Sequence, residues 1–131
     1  MKIYHIPHQL KAKPRGQLGK FGNMTHSLNG YREWQASLNN KFKQIDLVIP
    51  SPLYGLIMIF HIPKLKGHPF DLSNLQGGIE DVLVKYEYLP DDNWKILGKY
   101  VGIAVKSVYP GYTIIPTMNR NEFIAGINHY L

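Results

Sequence analysis

Hydrophobic side chains recur at helical spacing in one early stretch of the chain. The pattern predicts a short strand over residues 1–6, a long loop rich in Lys, Gly and Pro over residues 8–27, and a helix that begins at Ser27. The side chains on the buried face of this helix fall three or four residues apart: Tyr31, Trp34, Leu38 and Phe42.

The middle of the chain predicts two strands followed by a second helix. Strands are expected at residues 46–50 and 53–62, the second of which is rich in Ile, Leu, Tyr and Phe. The helix is expected at about residues 74–86, with Ser73 as its N-cap and Gln76 completing a capping box.

The last third predicts a hairpin and a terminal helix. Its strands are expected near residues 94–108 and 113–118, paired across Pro110-Gly111, and the helix at residues 122–130. This mixture of elements predicts an α+β fold, in which residues 1–131 form one small domain with a mixed β-sheet packed against two or three helices.

Charge is unevenly distributed along the chain. Residues 71–92 hold six of the nine acidic residues and a single lysine, so this window carries −5, while the chain as a whole carries +6 and the remainder therefore +11. Crowded carboxylates raise one another's pKa, and a hard divalent cation such as Mg²⁺ relieves their repulsion. The basic remainder attracts a polyanion. Together the two features indicate a metal-dependent nuclease.

Several classes of protein are excluded by what the chain lacks. It has no cysteine, which excludes disulfides, thiolate zinc sites and cysteine nucleophiles. No apolar run reaches the length of a membrane span and the amino terminus does not resemble a signal peptide, so we expect a cytoplasmic protein without a membrane partner. The six histidines show no zinc-ligand spacing, and no P-loop, Rossmann glycine motif or serine-hydrolase motif occurs.

Three aspartates are the candidate metal ligands. Asp71 lies where a loop enters the second helix, and Asp91 and Asp92 lie in the turn after it. Because that helix spans roughly 20 Å, the chain must turn back, or a partner copy must supply the second group, for Asp71 and Asp92 to share one cation. The alternative is that Asp71 caps the helix and Asp91-Asp92 is a solvated turn, and the spacing alone leaves both interpretations open.

The acidic segment resembles the RusA family of Holliday junction resolvases, which carries an Asp-Leu-Asp-Asn-Leu-x-Lys motif, a further Asp on the same helix and a downstream Asp pair. The matching residues here are Asp71-Leu72-Ser73-Asn74-Leu75, Asp81 and Leu89-Pro90-Asp91-Asp92. Upstream, the basic loop Lys11-Ala12-Lys13-Pro14-Arg15 and the helix segment Tyr31-Arg32-Glu33-Trp34 are also similar to members of that family.

This resemblance implies a homodimeric endonuclease that cuts branched double-stranded DNA at four-way junctions with Mg²⁺, or Mn²⁺ in its place, in a bacterial or phage context. It implies that Asp71 and Asp92 are the catalytic metal ligands, with Asp91 as an additional carboxylate. Metal-assisted phosphodiester hydrolysis would be the reaction. The residues expected to support the site are Ser73, Asn74, Glu80 and Asp81.

Two departures from the family pattern give a second hypothesis. Ser73 stands where the family has its second Asp, and Gly77 stands where it has its Lys. A hydroxyl is a weak ligand for a hard cation, and glycine supplies no charge. Three hypotheses therefore remain open: an active nuclease, a relative that binds branched DNA without cutting it, and a protein-interaction domain whose acidic patch is only a solvated surface.

Basic residues of the first loop and helix are the candidate phosphate contacts. Lysine and arginine in a glycine-rich loop bind phosphate without reading sequence. The residues expected to contact DNA are Lys11, Lys13, Arg15, Lys20 and Arg32.

Overall fold

The computed structural model describes residues 1–14, 24–64, 71–90 and 98–131, and for residues 24–28 it describes the backbone alone. Within these residues the fold is α+β, as the sequence predicts. Its elements in chain order are β1 (Tyr4–Pro7), α1 (Met24–Gln44), β2 (Gly55–Ile62), α2 (Leu72–Lys85), β3 (Tyr100–Lys106), β4 (Gly111–Thr117) and α3 (Arg120–His129).

The described strands form one mixed sheet in the order β1-β4-β2-β3. Strand β4 is antiparallel to both β1 and β2, whereas β3 is parallel to β2 and is reached through α2. The predicted hairpin between the last two strands is therefore wrong. Strand β2 lies between β3 and β4 and pairs with both.

Helices cover both faces of the sheet. Successive residues of β2 point to opposite faces, so its side chains contribute alternately to two cores. Leu56, Met58 and Phe60 face α1 and α2 and belong to the larger core. Ile57 and Ile59 face α3 and form the smaller core with Ile115.

Helix α1 confirms the predicted apolar face. The four side chains at helical spacing are all buried in the larger core, and Leu38 and Phe42 have no exposed surface. The helix begins at Met24, three residues earlier than predicted. The segment at residues 46–50, predicted as a strand, has no regular structure, and Tyr4 anchors it through hydrogen bonds with the backbone of Val48 at 3.3 Å.

Helix α2 begins two residues earlier than predicted, because Asp71 rather than Ser73 is its N-cap. The predicted capping box at Ser73 and Gln76 is thus wrong. The helix ends at Lys85, and Glu87 after it takes a left-handed backbone conformation (φ 66°). In the described part of the chain, no helix has the length and apolar character needed to cross a bilayer.

Candidate functional site

Strands β1, β2 and β3 end at the same edge of the sheet, which we call the carboxyl edge. The register sets Pro7 and His61 beside Gly111, and Ile62 beside Lys106. Helix α2 runs antiparallel to β3, since Gln76 packs against Gly102 and Glu80, one turn later, is close enough to Tyr100 to influence it electrostatically. The amino terminus of α2, with Asp71, therefore lies toward the carboxyl edge, where ligands bind in many folds with parallel strands.

Asp71 is exposed and holds the first turn of α2 together. Its Oδ1 accepts hydrogen bonds from the Ser73 backbone N–H at 2.9 Å, the Ser73 hydroxyl at 2.7 Å and the Asn74 backbone N–H at 3.4 Å. This is the arrangement of a helix N-cap.

Residues 8–13 follow β1, and we call them the amino-terminal segment. The last three of these residues pack directly on α2. The backbone N–H of Lys13 donates to the carbonyl of Asn74 at 2.9 Å. A Cβ atom at Gly78 would lie 2.7 Å from the carbonyl oxygen of Lys11, and one at Gly77 would lie 3.3 Å from Cδ of Lys13. Two adjacent glycines inside a helix cost about 1 kcal/mol each relative to alanine. Here they form a notch that admits the backbone of residues 11–13, and we call Gly77-Gly78 the glycine notch.

Lys13 extends from this notch to a carboxylate on the same helix. Its Nζ lies 3.3 Å from Oδ1 of Asp81, and the Lys13 side chain remains 52% exposed. The Tyr31 hydroxyl donates to the other oxygen of Asp81 at 3.0 Å. Burial raises the pKa of Tyr31, and the neighbouring charge of Asp81 raises it further. The side chain of Lys13 therefore packs against Gly77 on its way to Asp81.

A cleft of about 470 Å³ separates the amino-terminal segment from α1. Lys11 and Glu33 contribute charged groups to its wall, and the Trp34 indole N–H donates to the carbonyl of Gln9 at 2.8 Å. His8 also lines the cleft. Burial lowers the pKa of His8, and the nearby positive charge of Lys41 lowers it further. The hydrogen bond between the His8 ring and the Gln9 carbonyl raises this pKa in part. Arg32 is exposed on α1, one residue from Tyr31.

Glu80 is directed toward a different neighbour from Asp81. It is close enough to Tyr100 that its charge, after burial, raises the pKa of that phenol. The Tyr100 hydroxyl is itself buried and has no hydrogen-bond partner in the described part of the chain. Glu80 and Gln76 thus lie on the β3 side of α2, whereas Asp81 and the glycine notch lie on the side of the amino-terminal segment.

The other two candidate metal ligands, Asp91 and Asp92, lie outside the described residues, as do Arg15 and Lys20. The described residues that flank the aspartate pair lie at the opposite edge of the sheet from Asp71. Pro90 lines a small pocket with Leu53, just before β2. The backbone carbonyl of Lys99 accepts a hydrogen bond from the backbone N–H of Leu56, where the pairing of β2 with β3 begins. The described ranges contain no cluster of three or more His, Asp or Glu side chains that could hold a metal ion.

One group of polar side chains was not anticipated from the sequence. His5, His61 and Thr113 meet on the α3 face of the sheet, near the carboxyl edge. They are 56 and 52 residues apart in the sequence, and only the strand register brings them together. Short spacings between histidines in the sequence therefore do not indicate this group.

The chain was also compared with known proteins. No protein-family model and no curated protein sequence matches it.

Proposed function

We propose that this protein binds branched double-stranded DNA, using Lys11 and Lys13 to contact phosphates beside the amino terminus of α2. The observation that carries the proposal is the docking of Lys13 on Asn74, three residues after Asp71. It fixes a basic segment next to the part of the chain that resembles the RusA motif. A protein with this role would serve DNA recombination or repair in the bacterial cytoplasm.

The contact chemistry suits phosphate rather than bases. The two lysines project from backbone that is held by a hydrogen bond and by the glycine notch, so little freedom is lost on binding. Excess positive charge outside the acidic window adds a longer-range attraction. Contacts of this kind position a protein on DNA without reading its sequence. Preference for a branched substrate is supported by the resemblance alone.

The second candidate function is Mg²⁺-dependent cleavage of the bound junction. Its support is that Asp71, an exposed carboxylate, adjoins the same basic segment. Asp71 would hold Mg²⁺ or Mn²⁺ together with Asp92 and Asp91, and the bound cation would activate water for hydrolysis. Since the described neighbours of Asp91 lie at the opposite edge, we propose that a partner copy in a homodimer supplies the aspartate pair. Such a dimer would carry two symmetry-related sites.

A binding experiment tests the first function. The protein is titrated into a fluorescent four-way junction and a linear duplex of the same composition, without divalent cation, at several salt concentrations. We expect tighter binding of the junction. Lys11→Ala and Lys13→Ala should each make the negative slope of log K against log salt shallower by about 1, because each lysine that contacts phosphate releases about one counterion.

Lys2→Ala is the matched control, because Lys2 is exposed two residues before β1 begins, away from the carboxyl edge. It should leave the salt slope unchanged. An affinity for DNA that is lost equally in all three variants, or no salt-dependent binding at all, would refute the proposed interface.

A nicking assay tests the second function. Wild-type protein is incubated with the junction in Mg²⁺, Mn²⁺ or chelator, and Asp71→Asn and Asp92→Asn are compared with it. Paired nicks that both substitutions abolish, with junction binding intact, would support cleavage. Tight binding without nicks in either cation would leave the first function standing and exclude the second.

A further inference from the structure

Two histidines converge on one hydroxyl on the α3 face of the sheet. His5 of β1 is paired directly with Thr113 of the neighbouring β4, so their side chains share a face. On the other side of β4, His61 of β2 is paired with Gly111, two residues before Thr113 on that same face. The register of three strands therefore directs both imidazoles toward Thr113.

The distances show how closely the three groups meet. Nδ1 of His5 lies 2.9 Å from the Thr113 hydroxyl oxygen, and Nε2 of His61 lies 2.7 Å from the same atom. The two ring nitrogens are therefore no farther apart than the two hydrogen bonds laid end to end, about 5.6 Å. Thr113 is fully buried beneath them, whereas His5 is exposed and His61 half-buried. Both imidazoles therefore reach solvent in part, whereas the threonine between them does not.

The neutral state of the His61 imidazole suits metal ligation. A hydroxyl has one proton, so it can donate to only one of the two rings, and the facing nitrogen of the other ring must carry a proton. That proton moves to the second nitrogen of the same ring when a metal binds. Burial lowers the pKa of His61, and the nearby His5 ring lowers it further, which keeps the His61 ring neutral at physiological pH. A neutral imidazole is the form that binds metal.

The geometry points to a binding site for a transition-metal dication, Zn²⁺ or Ni²⁺, held by His5 and His61 with water and the Thr113 hydroxyl completing its surroundings. Zinc–nitrogen bonds of about 2.0–2.1 Å at tetrahedral angles bring two nitrogens to roughly 3.4 Å apart. Rotation of the exposed His5 ring supplies that approach. Imidazole favours Zn, Cu and Ni, whereas Mg²⁺ prefers oxygen ligands. This site is therefore chemically distinct from the carboxylates near α2, and it does not depend on the proposed function.

Calorimetric titration of the full chain with Zn²⁺, Ni²⁺ and Mg²⁺ tests the site. In separate titrations we expect each chain to bind one Zn²⁺ or one Ni²⁺ at this site, and no Mg²⁺. His5→Gln and His61→Gln should each weaken Zn²⁺ binding by at least about tenfold. Replacing bound Zn²⁺ with Co²⁺ gives a visible absorption band that reports nitrogen ligation, and both substitutions should abolish it.

His8→Gln is the matched control. His8 also meets a hydroxyl, that of Ser37 at 2.9 Å, but it is a single imidazole and lines the cleft beside Trp34. It should bind Zn²⁺ as wild type does. Melting curves without metal establish that each variant is folded, and His5→Gln, on an exposed side chain, is the least disruptive. Undetectable binding at millimolar Zn²⁺, or Zn²⁺ affinity unchanged in both histidine variants, would overturn the proposal.

Discussion

Replacement of Asp71 separates its capping role from any role as a metal ligand. Alanine removes the Oδ1 atom that accepts from two backbone N–H groups and from the Ser73 hydroxyl. Asparagine keeps an oxygen in the same place and is an equally favoured N-cap, but it has no charge. The two substitutions therefore affect folding differently while removing the same carboxylate.

The expected magnitudes follow from these contacts. Loss of an N-cap costs about 1 kcal/mol, within 0.5–2, and loss of a negative charge at a helix amino terminus costs a further 0.3–1 kcal/mol or so. We expect Asp71→Ala to lower the free energy of unfolding by about 1–2 kcal/mol. Asp71→Asn should lower it by about 0.5 kcal/mol, because the charge–dipole attraction is lost while the capping oxygen remains.

Urea unfolding followed by far-ultraviolet circular dichroism measures both values. With an m-value of about 1.5 kcal/mol/M, Asp71→Ala should move the midpoint down by roughly 1 M and Asp71→Asn by roughly 0.3 M. Ser73→Ala is the control, since it removes one hydroxyl donor and leaves both backbone donors in place. Equal destabilisation by alanine and asparagine would refute the capping argument, as would an alanine variant as stable as wild type.

Three further predictions concern the glycine notch and two titrating or charged groups. Gly78→Ala should lower the free energy of unfolding by about 1–3 kcal/mol, because the added Cβ would meet the Lys11 carbonyl, a backbone group that cannot move alone. Gly77→Ala should be neutral or stabilising by up to about 1 kcal/mol, because the side chain of Lys13 can shift. Thermal unfolding of the two variants compares them, and equal effects would contradict the packing. Lowering the pH from about 6.5 should destabilise the fold until it passes the lowered pKa of His61, since the unfolded chain takes up a proton that the folded chain resists, and His61→Gln should flatten that part of the stability profile. Lys13→Met should lower stability by less than about 1 kcal/mol, since the ion pair with Asp81 is half exposed, and a larger loss in urea titration would mean that the pair is more strongly coupled than its exposure indicates.

Local patterns predicted the parts of the fold that depend on neighbours in sequence. The apolar face of α1 and the α+β class follow from periodicity. The hairpin prediction was wrong because four residues, 107–110, connect β3 and β4, a length typical of a hairpin, and nothing in those residues indicates that β2 lies between the two strands.

The amino terminus of α2 shows a second limit of the sequence. Asp71 and Ser73 are both favoured N-caps, and choosing between them requires knowing which side chain accepts from the other. Here the Ser73 hydroxyl donates to Asp71, so Ser73 contributes to the cap as a residue of the first turn. The glycines at 77 and 78 are likewise only a penalty for the helix until the position of Lys11 is known. Proximity of Asp71 and Asp92 remains a prediction, because Asp92 lies outside the described residues.

The glycine notch also bears on the order in which the chain assembles. With two consecutive residues of the poorest helix-forming type short of proline, α2 has little tendency to persist as an isolated peptide. The partner that fills the notch comes from more than sixty residues earlier in the chain. Closing so long a loop is slow, so we infer that the middle of α2 gains its protection from hydrogen exchange late, once residues 11–13 have docked.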